Sequence, residues 1–210
     1  MNKASNTDLP QNRFGRRRER TRQALLAAAT RVLADKGLHD TKVTDIAATA
    51  DVGVGTFYLH FPTKEALFDA VVEDTVARLK AAVDAARGGT TDPVERMRAA
   101  NAALFHFAAD NREVFKIVFG HAAAYNDHIR RAQGLFIADV EQTVRDGVAS
   151  GAFADLPPVL VAQATIGMVT QVVSWWTQDE AVPLETLIDT MTTLVLRGLV
   201  PPTTRSEGER

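Results

Sequence analysis

Six arginines crowd into residues 13–22 (Arg13, Arg16, Arg17, Arg18, Arg20 and Arg22), and a stretch from Val43 to Lys64 follows them with Thr44, Thr56, Tyr58, His60 and Lys64. These groups suit binding rather than bond making. Guanidinium and ammonium groups neutralise phosphates, and hydroxyls reach phosphate oxygens or base edges. No rival set for catalysis stands out. Asp110 with Glu113, and Asp179 with Glu180, fit helix caps and surface better than an acid/base pair. Gly53-x-Gly55 lacks the third glycine and the preceding strand of a nucleotide fingerprint. His121 and His128 lie seven apart with no third ligand in sight, so no metal is assigned. The chain is read as a non-enzyme with no catalytic residue and no cofactor.

The elements that must position these groups are short helices. Val43, Ile46, Ala47 and Ala50 fall on one helical face. Asp51-Val52-Gly53 interrupts the pattern, and Gly53 is expected to take the backbone angles of the turn. A second run spans Val54 to Phe61, with Phe57 and Phe61 facing a core. Pro62 stops it, and Thr63 caps the next helix ahead of Ala66 and Leu67. Two short helices across a tight turn read as a helix-turn-helix, whose second helix enters a major groove. A plain helical hairpin would show the same pattern. Charge separates the two readings. Residues 1–64 hold 11 Lys/Arg and 6 Asp/Glu, a balance of +5, while the whole chain is −2, so residues 65–210 carry −7. Such segregation points one part of the chain at a polyanion.

Ile46-Ala47, Asp51-Val52-Gly53, Gly55-Thr56-Phe57-Tyr58, His60-Phe61 and Lys64-Glu65-Ala66-Leu67 together resemble the N-terminal domain of tetracycline-repressor-like (TetR family) regulators. The resemblance covers roughly residues 18–68. Lys42 and Gly53 depart from it, standing where the family often has a capping threonine and a capping serine; each weakens a cap by about 0.5–1 kcal/mol.

Roles within the reading stretch divide by chemistry. Arg17, Arg18, Thr44, His60 and Lys64 are assigned to phosphates. Thr56 and Tyr58 are assigned to base edges, Gly55 to close backbone approach, and Val54 to a thymine methyl. The second helix is poor in Arg, Asn and Gln, so part of the specificity is expected from DNA shape.

The remaining chain reads as helices throughout, giving an all-α fold: an N-terminal three-helix helix-turn-helix domain joined to a larger helical ligand-binding and dimerisation domain. The expected divisions are a disordered basic arm (1–15), the DNA-binding domain (16–62), the helical effector-binding and dimerisation domain (63–203) and a mobile tail (204–210). Val159 to Trp176 is apolar enough to raise a membrane span, but Gln163, Thr165, Thr170, Gln171 and Ser174 interrupt it, so no membrane is assigned. The chain has no cysteine, which excludes disulfides and thiolate metal sites. With no secretory pattern after Lys3, a cytoplasmic location is expected. The resemblance implies an effector pocket, often apolar, in the second domain. Phe105, Phe115, Phe119 and Trp175 are the candidate lining, with Asn126 or Arg130 as polar anchors. Ile166, Val169, Val173, Leu187, Met191 and Leu194 are candidates for a homodimer seam, which would make the DNA operator near-palindromic. The expected function is a sequence-specific regulator, a repressor released from duplex DNA by a small-molecule effector. Competing readings are an effector-independent helical DNA binder and an all-helical carrier or enzyme.

Overall fold

The computed structural model describes residues 9–120, 126–179 and 182–200, with backbone alone at 9–12, 38, 117–120, 126–129 and 132. All regular structure among the described residues is helical: α1 (Leu9–Asp40), α2 (Val43–Thr49), α3 (Val54–His60), α4 (Lys64–Arg87), α5 (Pro93–Asp110), α6 (Arg112–Gly120), α7 (Asn126–Ala149), α8 (Pro158–Gln178) and α9 (Leu184–Leu199). The all-α class and the helix-turn-helix at its N-terminal end are as the sequence predicts. The chain divides into two compact units between Asp74 and Thr75, inside α4, rather than at the start of that helix. The first half of α4 is deeply buried through Leu67, Phe68, Val71 and Val72, so it belongs to the smaller unit's core.

In the first unit, Leu25, Ala28, Ala29 and Leu33 form the apolar stripe of α1 and are almost fully buried. The helix begins earlier than expected. Residues 9–15 belong to the expected disordered arm, yet they form its opening turns. Pro10 falls in the first turn, where its missing N–H is no loss, and the arginines beyond it are good helix formers. Residues 1–8 of the expected arm lie outside the described residues, as does the 204–210 tail. Gly37 bends the helix end with φ 72° and ψ 168°, and Thr41 Oγ1 donates back to its carbonyl at 2.6 Å.

The turn between α2 and α3 uses a different residue from the one expected. Gly53 has an ordinary φ of −71°, while Asp51 takes the left-handed conformation at φ 54°. The N–H of Val52 donates to the Ala47 carbonyl at 3.0 Å and that of Asp51 to Ala48 at 3.1 Å, which closes α2 with a Schellman-type cap. Aspartate is one of the few side chains that tolerate this backbone region. Neither Lys42 nor Gly53 supplies a side-chain cap, as their residue types foretell. Thr63 does: its Oγ1 accepts from the Ala66 N–H at 3.0 Å.

The second unit packs α5 with α9 and α7 with α8. Asp92 caps α5 by accepting from Val94 N–H at 3.1 Å, with Pro93 in the first turn. One core cluster joins Leu79 and Val83 of α4 to Phe105, Phe115, Val169, Val173, Trp176, Leu187 and Met191. Another joins Met97, Val140, Val144, Phe153, Ile166 and Val195. These clusters correct the expected dimer seam. Ile166, Val169, Val173, Leu187 and Met191 are buried in the chain's own core, and of the six only Leu194 is exposed. A helical stripe does not say whether a sister helix or a sister subunit covers it; here α7 packs on α8 and α5 packs on α9 within the chain. Among the described residues α8 is the one helix long and apolar enough to cross a membrane, and its buried residues face these clusters.

Candidate functional site

α3 turns one face inward and one outward. Phe57 and Phe61 are buried, as their four-residue spacing predicts, and fix the helix to the first unit. Val54 (40% exposed), Gly55, Tyr58 (55%) and Leu59 (77%) face outward, with Thr56 at the edge. Tyr58 packs edge-on against Phe57 at 5.3 Å between ring centroids, which orients its phenol. A Cβ built on Gly55 would meet no atom within 4 Å, so nothing in the chain's own packing demands glycine there. Thr44, near the start of α2, is exposed as well.

The arginine-rich end of α1 lies on the same side as the end of α3. The Arg22 guanidinium stacks 5.3 Å from the Phe61 ring centroid. Burial holds the His60 imidazole below its ordinary value of 6.5, and the charges of Arg18 and Arg22 add to that effect, with Glu19 opposing. Arg17 and Arg18 are exposed. Arg17, Arg18, Thr44, Val54, Gly55, Thr56, Tyr58 and His60 are therefore at or near the surface, ready to meet a ligand.

Lys64 is engaged differently from the expectation. Its ammonium donates to the Thr41 carbonyl at 2.9 Å and to the His39 carbonyl at 3.4 Å, so it satisfies the backbone where α1 ends. Two exposed residues stand beside this set with no contact assigned to them from sequence: Lys42, just ahead of α2, and Leu59 on α3. Lys36 and Asp45 form an ion pair at 2.8 Å that ties α1 to α2, and this hydrogen bond holds the Asp45 carboxyl below its usual range.

The second unit contains a cavity of about 40 Å³. Leu104, Phe136, Val140, Ile166, Val169 and Val195 make most of its wall, and Arg87, Asn101, Thr165 and Thr192 are its polar members. The Asn101 side-chain amide donates to Thr192 Oγ1 at 2.7 Å. Of the proposed aromatics whose side chains are described (Phe105, Phe115 and Trp175), none lines it. Phe105 and Phe115 are sealed in the neighbouring core cluster. Trp175 is 46% exposed, and its neighbour Trp176 is the buried one, with Nε1 donating to the Val182 carbonyl at 2.8 Å. Arg130 is exposed and lines no part of the cavity, and the side chains of Phe119 and Asn126 lie outside the described residues. The overlooked signal was Asn101, a lone amide within the apolar stripe of α5 that includes Met97, Leu104 and Phe105. His121 lies outside the described residues, and His128 is described in its backbone alone; among the rest no three His, Asp or Glu side chains gather as a metal site.

Comparison with known proteins bears on both units. Residues 25–71 match the model of bacterial regulatory proteins of the tetR family, and residues 90–199 match a tetracyclin repressor-like C-terminal domain. The transcriptional repressor KstR2 of Mycolicibacterium smegmatis is 27% identical over 202 residues, covering 90% of this chain and 93% of its own. FadR from Bacillus subtilis, solved in complex with stearoyl-CoA, superposes with a TM-score of 0.77 at 20% identity, covering 84% of this chain and 98% of its own. AibR, solved in complex with isovaleryl coenzyme A and operator DNA, superposes with a TM-score of 0.70 at 23% identity, covering 83% and 97%.

Proposed function

Because the chain belongs to the TetR family of transcriptional regulators, we propose that it is a repressor, which binds a near-palindromic operator as a homodimer and leaves it when a small, largely apolar effector enters the second unit. The observation that carries this reading is the outward face of α3, with Gly55, Thr56, Tyr58 and Leu59, beside the arginines of α1. That face has side chains for the groove and cations for the flanking phosphates. Val54 and Leu59 suit thymine methyls, and Tyr58 and Thr56 suit base edges. Arg17, Arg18, Thr44 and His60 suit the backbone. Lys64 is read as a brace for the reading head that contributes a phosphate contact only by sharing its ammonium with two carbonyls.

Repression is supported by KstR2, which matches along nearly its whole length. The effector reading is supported by the cavity, and an acyl compound by the ligands in FadR and AibR. Dimerisation is assigned to the outward faces of α8 and α9, where Leu160, Trp175 and Leu194 are exposed. The site of action is the cytoplasm, where the operator is.

Selection of bound fragments from genomic DNA tests the reading. Recovery of a near-palindrome whose affinity falls steeply with salt is expected. Indifference to duplexes of every sequence at low ionic strength would remove the proposal.

A further inference from the structure

The geometry points to a second DNA contact outside the reading head: Phe14, carried on the arginine-rich opening turns of α1, packs into the minor groove that flanks the half-site. This rests on the reading of α3 as the helix in the major groove, and it adds a residue and a flanking groove to that reading. α1 is helical without a break ahead of Gly37, so Phe14, Arg18 and Arg22, spaced by four, lie in one row along it. Two members of the row are placed by their neighbours. The Arg22 guanidinium lies 5.3 Å from the Phe61 ring centroid, and Arg18 is close enough to His60 to act on its imidazole. The row therefore follows the side of α1 where α3 ends. Further along, the same side carries the buried Leu25, Ala29 and Val32. Phe14 continues it past the core, eight residues before Arg22 or about 12 Å along the axis. There the ring is 78% exposed.

The surroundings of the ring decide its partner. Arg13, Arg16, Arg17 and Arg18 stand within about one turn of it, all exposed. Glu19 is the one acid between Leu9 and Thr30, and its carboxylate accepts from the Gln23 amide at 2.8 Å. A second copy of the chain would cover the ring only by bringing like charges together. A polyanion gives the arginines their counter-charges. Duplex DNA also gives the ring an apolar seat, because phenylalanine is among the side chains that wedge into minor grooves. α1 passes the end of α3, where a major groove meets its sugar-phosphate wall. The minor groove lies on the other side of that wall, within a reach of about 12 Å. Gly15 leaves the helix surface next to the ring bare, with no atom within 4 Å of where a Cβ would stand.

A duplex recovered by the genomic selection, rebuilt with long and with trimmed flanks, tests this by fluorescence anisotropy. Phe14→Ala should weaken the long duplex about tenfold and leave the trimmed one within about twofold. Thermal unfolding should not change, since the side chain is exposed in the free chain. The slope of log affinity against log salt should also stay the same, because an apolar contact releases no counterion. Phe14→Leu should keep most of the affinity. Inosine in place of the flanking guanines removes the amino group from the minor groove and leaves the major-groove pattern intact. The native chain should bind that duplex several-fold tighter, and Phe14→Ala should show no such gain. Long and trimmed duplexes affected alike by Phe14→Ala, or an inosine gain that survives it, would overturn the inference and spare the reading of α3, which Tyr58→Ala tests on the trimmed duplex. Phe14-dependent binding to phosphatidylglycerol vesicles with duplex affinity unchanged would overturn it and assign the extension to a lipid surface. Failure of the selection to return any duplex would remove the reading of α3 and the inference with it.

Discussion

Gly55 separates fold from function at the scale of one residue. It sits inside α3, where glycine is a poor helix former, and no neighbour occupies the space a methyl would take. Gly55→Ala should therefore raise stability by about 0.5–1 kcal/mol in thermal unfolding. The same change should weaken operator binding at least tenfold in a mobility-shift titration if DNA comes within van der Waals reach of that backbone, an estimate of about 1.4 kcal/mol or more. His60 gives a second residue-level test. Its imidazole is held below its ordinary value by burial, then by Arg18 and Arg22, so the unfolded chain binds the extra proton more readily. The stabilising contribution of the neutral ring is present above pH 6.5 and is lost as pH falls through the lowered folded value. The thermal midpoint of the native chain should fall between pH 6.5 and the lowered value more than that of His60→Gln. Identical pH profiles would mean the ring is insensitive to its surroundings. The reading residues themselves were legible, because groove-facing polar groups and buried phenylalanines alternate with helical spacing. The engagement of Lys64 was not, since its partners are backbone carbonyls some 23 and 25 residues away.

Helix boundaries followed from local chemistry wherever a side chain declares itself. Asp92 before Pro93, Thr63 before Lys64 and Gly151 after α7 all behave as their types require. Asp51 did not declare itself, because a left-handed aspartate is recognised only from the hydrogen bonds around it. The faces of α8 and α9 were legible as stripes but not as partners, and the adjacent Trp175 and Trp176 point opposite ways. The close of α7 adds a packing device that composition conceals. Gly151 takes φ 74°, the Phe153 N–H donates to the Gly147 carbonyl at 3.0 Å, and the Phe153 ring lies where a Gly147 side chain would be. A Cβ there would stand 2.1 Å from the ring. Gly147→Ala should cost about 1–3 kcal/mol by overpacking, despite alanine's better helix propensity. Adding Phe153→Leu should recover part of the loss in chemical denaturation, which a purely local helix effect would not allow.

For the molecule as a whole, the division into a +5 head and a −7 remainder predicts an association dominated by phosphate contacts. Removing Arg17 should lower the slope of log affinity against log salt by about one contact and weaken random and cognate duplexes alike. Tyr58→Ala should act mainly on the cognate site. The helix α4 contributes to both compact units, which makes it the covalent route by which an effector in one would act on the other. The chain's lack of cysteine permits a clean trial. Lys80→Cys with Asp139→Cys, bridged by a short bifunctional reagent, should hold α4 to α7 and abolish effector response while operator binding persists. An undiminished response in the bridged protein would exclude that route.

The ammonium of Lys64, held on the carbonyls of Thr41 and His39, clamps the first turn of α4 to the end of α1. A swing of α4 would then carry the head along as one piece, leaving its internal geometry undisturbed. Operator libraries sorted with and without effector should consequently differ in the number of base pairs separating the two half-sites, while the preferred letters inside each half stay the same.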